Sequence, residues 1–396
     1  MKANSMDFEF SAEEMAFRAE AAAYIRKHCT EGVINEDSDG TRYVDTPARR
    51  GFMKAMAQGG YLGVSWPVEY GGRGLPAIYD FHLSEELAAA GAPQIGKGIG
   101  IIGRTLMTHG SEFLKREFLP RILRAEIEFA IGYSEPDAGS DLASLKLRAT
   151  RDGDGWRLNG QKRFTTSAHF ADWYFLAART DASGPKHKGI TLFLLPMKAP
   201  GIAVHGMPTL DGERTNEVFL DDVQVDDRYV IGEVGQGFYY ISEALDFERH
   251  TLFPYAMMER VFGVFLDYVR KEKRNGKPLR DDPVVRRAVA RLVTDLEVAR
   301  MHSLRVVDSL NHGRSSNVDA AMNKVWWSEV YQRLADAALE LVGPGAWLRR
   351  GSAHAPADGF FAMIHQCAVL PTIGAGANEI QRNIIARRGL GLPNPG

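Results

Sequence analysis

Two short segments of the chain carry groups suited to cradling a ligand. The first is Tyr133-Ser134-Glu135-Pro136-Asp137-Ala138-Gly139-Ser140-Asp141, where small hydroxyl and glycine positions let backbone approach a bound molecule closely. The second is Asn159-Gly160-Gln161-Lys162-Arg163-Phe164-Thr165-Thr166. Its Asn-Gly pair reads as a hairpin turn, and the strand leaving that turn would carry one aromatic ring and two hydroxyls. Taken singly, the first is equally an ordinary capped turn and the second a hairpin with a core aromatic. Their pairing is what points to a ligand.

Other candidate chemistry is weaker. His109, His250, His354 and His365 lack metal-ligand spacing. The glycines of Gly96-Lys97-Gly98-Ile99-Gly100 suggest a phosphate loop, without the strand and helix context of a dinucleotide fingerprint. The two cysteines, Cys29 and Cys367, cannot build a disulfide framework and read as free thiols of a reducing compartment. A formal charge of −2 gives no electrostatic reason to expect nucleic acid or an anionic membrane surface. No apolar run approaches the ~20 residues of a membrane span, and Met1-Lys2-Ala3-Asn4-Ser5-Met6-Asp7 is no signal peptide. Together these predict a cytoplasmic protein.

A chain of 396 residues is too long for one small core and predicts two or three domains. Ser11 with Glu14 reads as a capping box, with Phe10 and Met15 as its hydrophobic staple. Phe17, Ala21, Tyr24, Ile25 and His28 then recur at helical spacing. Further helices are predicted over 46–59, 78–90 and 112–125, with loop at Gly59-Gly60 and 66–74. From Phe129 the segments 156–158, 173–178, 190–195 and 218–225 are short, β-rich and separated by turns. They predict a compact β domain. Helices over 238–274 (kinked or broken at Pro254), 283–311, 318–341 and 379–388 predict an antiparallel bundle. The division is thus a helical domain over 1–128, a β domain over 129–236 and a helical bundle over 237–396, an α+β fold.

At their spacing, the two opening segments resemble the flavin-cradling segments of the acyl-CoA dehydrogenase family. Ala171-Asp172-Trp173-Tyr174-Phe175, Asn216-Glu217-Val218-Phe219 and Gln381-Arg382-Asn383-Ile384-Ile385-Ala386 match the family in place and order, so the resemblance covers nearly the whole chain. It implies an N-terminal α-helical domain, a β-barrel-like middle domain and a C-terminal four-helix bundle. It also implies an FAD-dependent α,β-dehydrogenation of an acyl-CoA thioester to a trans-2-enoyl-CoA, with electrons passed to electron-transfer flavoprotein. Ile131, Tyr133, Ser134, Gly139 and Ser140 would then lie along the flavin pyrimidine edge and pyrophosphate. Phe164 would pack on the isoalloxazine, with Thr165 beside it and the Thr166 hydroxyl on N5. A reduced flavin gains negative charge near N1 and C2, so donors aimed there stabilise it.

The family's usual base, a Glu in the loop before the last helix, is missing. That loop reads Ile373-Gly374-Ala375-Gly376-Ala377-Asn378-Glu379, and the aligned residue is Ala375. Glu379, four positions on, suits the start of a helix. A subgroup that includes isovaleryl-CoA and long-chain acyl-CoA dehydrogenases carries its Glu on the first bundle helix, and Leu245-Asp246-Phe247-Glu248-Arg249 matches that run. The resemblance therefore makes Glu248 the base for the α proton; a surface helical Glu is the alternative. A carboxylate suits this task because an apolar pocket raises its basicity. The backbone N–H of Ala375, with a flavin hydroxyl, would polarise the thioester carbonyl. Ser140, Asp246 and Arg249 are the implied substrate contacts, the last two near CoA, although helix-surface charges would look the same. The small Gly374-Ala375-Gly376-Ala377 loop predicts room for a large or branched acyl group, such as a steroid side chain or an alicyclic acid.

A second departure concerns the ADP end of the flavin. Family homotetramers hold it partly with a neighbour's Arg, Phe-Gly pair and Gln; the aligned residues here are Glu272, Asn275 and Pro283, with Glu340 at a further Gln position. Glu272 beside a pyrophosphate would be unfavourable, and Arg274 is the remaining cation for it. Both homo- and heterotetramers stay open. The alternatives to a dehydrogenase are a flavin oxidase or monooxygenase on the same fold, or a partner subunit completing a neighbour's flavin site.

Overall fold

The computed structural model describes residues 9–36, 45–248, 253–312 and 317–393. Among the described residues six α-helices come first: α1 (Ala12–His28), α2 (Glu31–Glu36), α3 (Pro47–Gln58), α4 (Ile78–Ala90), α5 (Gly103–His109) and α6 (Glu112–Leu123). The capping box at α1 forms as predicted. Ser11 N donates to Glu14 Oε2 at 2.7 Å, and Glu14 N donates to Ser11 Oγ at 3.2 Å. Phe17, Ala21 and Ile25 give α1 its buried stripe. The staple differs from the prediction. Phe10 packs edge-on against His82 of α4, with ring centroids 4.7 Å apart, and Met15 is left half-exposed.

Strands follow: β1 (Phe129–Gly132), β2 (Arg148–Asp152), β3 (Gly155–Lys162), β4 (Trp173–Arg179), β5 (Ile190–Pro196), β6 (Ile202–Pro208), β7 (Arg214–Asp226) and β8 (Val230–Ile231). They make one mixed sheet in the order β6-β7-β3-β2-β4-β5-β8, with β1 parallel to β4. β4 and β5 are buried on both faces, which is why they read as unbroken apolar runs rather than alternating ones. Phe175, Ala177, Leu192 and Leu194 face a core shared with α5, α6 and the helix after the sheet. Tyr174, Leu176, Phe193 and Leu195 face a second core, shared with β3 and β7.

The Asn159-Gly160 pair is not a hairpin turn. It lies inside β3, where the register with β7 slips between Leu158 and Gly160. Asn159 spans the irregularity: its Nδ2 donates to Asp222 Oδ1, and its Oδ1 accepts from Asp222 N, both at 2.9 Å. The glycine is needed there, because it holds φ +144° and an added Cβ would meet Leu147 Cα at 3.0 Å. Phe164, Thr165 and Thr166 consequently lie beyond the strand end, in an irregular turn.

The last third holds α7 (Gly237–Glu248), α8 (Tyr255–Lys271), the small hairpin β9 (Lys273–Arg274) and β10 (Lys277–Pro278), α9 (Pro283–Asn311), α10 (Asn317–Val342), α11 (Phe360–Cys367), α12 (Leu370–Ile373) and α13 (Asn378–Ile384). α10 is the hub, with Trp327, Val330, Tyr331, Leu334, Ala335 and Ala338 all buried against its neighbours. The predicted helix over 238–274 is two helices. α8 starts after Pro254, which cannot donate a backbone hydrogen bond. α7 packs with Ile241 and Ala244 into the core of the sheet and first helices, not into the bundle.

The start of α8 is capped from another domain. Glu85 of α4 is buried, and its two carboxylate oxygens accept from Tyr255 N and Ala256 N, each at 2.8 Å. These are orphan donors of the first turn, and a carboxylate there also meets the positive end of the helix. Burial pushes the Glu85 carboxyl up from 4.5 to about 7, against the pull of the two amides. Glu85→Gln leaves one amide without an acceptor, and should cost about 1–3 kcal/mol in denaturant unfolding. The folded state holds a proton on Glu85 between 4.5 and about 7 where the unfolded chain does not, so this group's stabilisation falls as pH rises through that window. The stability gap between wild type and Glu85→Gln should therefore be narrower above this window than at its lower end. A gap that widens with pH contradicts the assignment.

Candidate active site

The two chemistry-bearing segments are locked together by a buried ion pair. Lys162 closes β3 at a core-facing position and is fully buried. Its Nζ donates to Glu135 Oε1 at 2.8 Å and to the Tyr133 carbonyl at 3.1 Å. Glu135, 6% exposed, also accepts from Lys146 N at 2.6 Å and Leu147 N at 2.9 Å. Arg163 N donates to the Ser134 carbonyl at 2.9 Å. Burial pulls the Lys162 ammonium down to about 8, with Glu135 opposing it. Neither residue stands out in the sequence as part of a site. The available signal was a Lys in phase with Trp156 and Leu158, the buried side chains of the same strand.

Beyond Lys162 the chain enters a strained turn. Phe164 has φ +58° and is 59% exposed. Ser167 follows at φ +76°. Positive φ at a bulky residue is uncommon and clusters at functional sites. Here the strain is held by a pair of bonds to β7: Thr165 N donates to the Asn216 carbonyl, and Asn216 Nδ2 donates to the Thr165 carbonyl, both at 2.9 Å. Arg214 Nε in turn fixes Asn216 Oδ1 at 2.9 Å. Lys97 reaches over from the first domain, its Nζ on the Thr166 carbonyl at 3.0 Å and on Ser167 Oγ at 3.1 Å. The result is an aromatic ring presented outward on a rigid base.

The sequence-predicted residues divide as follows. Phe164 is presented, and Gly139 and Ser140 are exposed beside the locked segment. An added Cβ on Gly139 would meet nothing within 4 Å, so no packing within this chain requires a glycine there. Ile131, Tyr133 and Ser134 are half-buried, the first two packed on the core under β1. Thr166 is half-buried, with its hydroxyl 3.4 Å from that of Thr215. Thr165 does not belong with them: it is fully buried, its hydroxyl 3.3 Å from the Tyr174 hydroxyl, so it braces the turn instead of facing a ligand. The glycines at 96–100 are no phosphate loop. Gly98–Ile102 is a π-helix running into α5 and packed on α7.

Glu248 is the last residue of α7; its side chain and that of Asp246, and the whole of Arg249, lie outside the described residues. The loop that carries Ala375 runs between α12 and α13. Ala375 takes φ +53° and Gly376 φ +86°, while Glu379 is exposed in the first turn of α13, as predicted. Ala375 packs against the bundle core that contains Phe253 and Ala256. Arg274 is not brought to the other site residues. It sits on the β9–β10 hairpin with Nη2 on the Leu341 carbonyl near the C-terminal end of α10, where a cation is favoured.

The residues present fit a flavin at this place. An exposed aromatic on a strained, braced turn, an adjoining hydroxyl and an open glycine-serine stretch are what a flat, polar ring system with a phosphate tail needs. Arg163, with its guanidinium 5.1 Å from the Phe164 ring centroid, adds a cation to this surface.

Three family models match consecutive parts of the chain: the acyl-CoA dehydrogenase N-terminal domain over residues 11–126, the middle domain over 130–223 and the C-terminal domain over 235–390. A similar protein is the acyl-CoA dehydrogenase FadE26 of Mycobacterium tuberculosis, 33% identical over 98% of this chain and 99% of that one. Among solved structures, the Tcur3481-Tcur3483 steroid ACAD superposes with a TM-score of 0.90 at 33% identity, over 98% of this chain and 100% of the other. The ChsE4-ChsE5 complex of Mycobacterium tuberculosis does so with a TM-score of 0.90 at 32% identity, with the same coverage.

Removing one partner of the buried pair should be severe. Lys162→Met strands the Glu135 carboxylate and is expected to cost about 3–5 kcal/mol. The melting temperature should drop, and the purified variant should retain less yellow flavin per chain than wild type. A variant that melts with wild type and keeps its flavin would remove the pair from its organising role.

Proposed function

The chain belongs to the acyl-CoA dehydrogenase family, and from that premise we propose that it dehydrogenates a bulky acyl-CoA, using Glu248 as the base. Membership makes it an oxidoreductase of the acyl-CoA dehydrogenase type. The observation that carries the finer reading is the loop at 374–377. Ala375 keeps a left-handed backbone that costs an alanine roughly 1–2 kcal/mol, yet offers no carboxylate. What such a loop retains is its amide, a donor for the thioester carbonyl. The proton must then go elsewhere, and Glu248 is the carboxylate in the matching position of the helix-borne subgroup.

In this reading Glu248 takes the α proton as the Ala375 N–H stabilises the charge developing on the carbonyl oxygen. Phe164, the Thr166 hydroxyl, Ser134 and the Gly139-Ser140 stretch would hold FAD, which supplies the acceptor for the β hydrogen and its electron pair. The electrons would leave to electron-transfer flavoprotein. Gly374, Ala375, Gly376 and Ala377 leave space for a polycyclic or branched acyl group, and a structurally similar protein is described as a steroid ACAD.

The assembly follows from the same residues. Arg274 is engaged at Leu341, and Glu272 and Asn275 stand at the positions where homotetramers present a cation and an aromatic ring to a neighbour's flavin. A heteromer, in which a different chain completes the ADP end, is favoured over four equivalent sites. Two structurally similar proteins are described by paired names, one of them as a complex. This chain, with its Glu248, would be the catalytic member.

Glu248→Gln should lower kcat by about 10²–10⁴-fold with the flavin absorbance spectrum unchanged. Near-normal turnover by that variant would move the base to another residue. With wild type, steroid-derived acyl-CoAs should be turned over in preference to short straight-chain ones; the reverse order would exclude the bulky-substrate reading.

A further inference from the structure

Lys324 is an ammonium with no exposure at all, in the N-terminal third of the central helix of the bundle. An ammonium there is costly unless its donors are used. They are directed at the two ends of the loop that carries Ala375. Nζ donates to the Thr372 carbonyl at 3.3 Å, where the chain enters the loop, and to Asn378 Oδ1 at 2.6 Å, where it leaves. Asn378, 4% exposed, passes the restraint on: its Nδ2 donates to Ser328 Oγ at 3.1 Å and to Glu329 Oε1 at 3.3 Å. Arg382 closes the far side on Glu329 at 2.5 Å. Gln381, fully buried, holds the loop's own carbonyl, with Nε2 on Gly376 O at 3.3 Å. The segment from Thr372 to Asn378 is therefore fixed at its entry, its exit and its second positive-φ residue.

We propose that Lys324, acting through Thr372 and Asn378, is a positioning residue that holds Ala375 in its left-handed conformation so that the Ala375 N–H faces the substrate carbonyl. This rests on the reading of that amide as the carbonyl donor. The reasoning is conformational. An alanine released from such restraints returns to negative φ, and that rotation turns its N–H away. Glycine has no such preference and samples positive φ freely. The surrounding hydrogen bonds, not the residue at 375, must therefore supply the geometry.

The experiment uses the full-length holoprotein and three variants: Lys324→Met, Ala375→Gly and the double variant. Lys324→Met should lower kcat about tenfold, the population lost when the left-handed state is no longer enforced, with KM changed less than twofold by the same reasoning. Adding Ala375→Gly to it should recover several-fold of the lost kcat, because glycine regains the conformation unaided. A lysine that merely filled the bundle would not be rescued by a glycine on the loop, and that lack of rescue would overturn the proposal. A readout without turnover separates this from the dehydrogenase reading. Hydrogen exchange of the peptide spanning 372–378 should be faster in Lys324→Met than in wild type, whatever substrate the protein takes. Unchanged exchange there would also overturn the proposal. If Lys324→Met does not fold, Gln381→Leu releases the Gly376 carbonyl instead, and the same rescue by Ala375→Gly decides the question. Wild type that dehydrogenates no acyl-CoA would refute the reading beneath the proposal, while the exchange comparison would still score the restraint.

Discussion

A buried ammonium and a buried carboxylate, Lys162 and Glu135, fix where the rest of the site can lie. Neither is stable in the interior alone, so the strand ending at Lys162 and the segment containing Glu135 must meet in one register. That register sets the first residue after the strand, Arg163, against Ser134, and sends Phe164 outward. Slipping β3 by one residue would reverse its faces and leave both charges unpaired. The irregularity at Asn159 and Gly160 leaves the phase of β3 unchanged up to Lys162 and takes up the extra residue on β7, whose buried side chains pass from Val218 and Leu220 to Val223 and Val225.

Around this lock, the elements of the candidate site are held by groups from other domains. Lys97 of the first domain fastens the turn at Thr166 and Ser167. Glu85 of the first domain caps α8 of the last. α7, which ends at the proposed base, packs on the sheet and the first helices although the chain has already left the sheet. A site built at such a junction gets its precision from packing and hydrogen bonds between rigid elements.

In the proposed reading, the alanine loop keeps a functional geometry without a functional side chain. A backbone amide needs no particular residue, only a particular φ and ψ. The bundle supplies these through Lys324, Asn378 and Gln381, three polar side chains buried among apolar neighbours. Their desolvation is offset by the hydrogen bonds they make to the loop and to each other.

Much of this was legible from local patterns. The boundaries of α4 and α9 coincide with those read from the sequence, and the capping box at Ser11 forms because both partners lie within one turn. Periodicity, caps and turn residues act over a few positions, so the chain alone determined its longer helices, the strands β3, β4, β5 and β7 and the order of these elements along the chain, while short elements such as α2, α5, β2 and β6 went unread. What it could not determine was any fact requiring two distant segments to meet. An Asn-Gly pair is a turn unless a partner strand claims it, and β7 does. Thr165 and Thr166 are adjacent and alike, and only the position of Tyr174 decides which of them is buried. Likewise Lys162, Lys324 and Glu85 read as surface charges until the fold supplies a partner for each. A side chain's burial and hydrogen bonds depend on neighbours brought together in space, and only the tertiary structure places them.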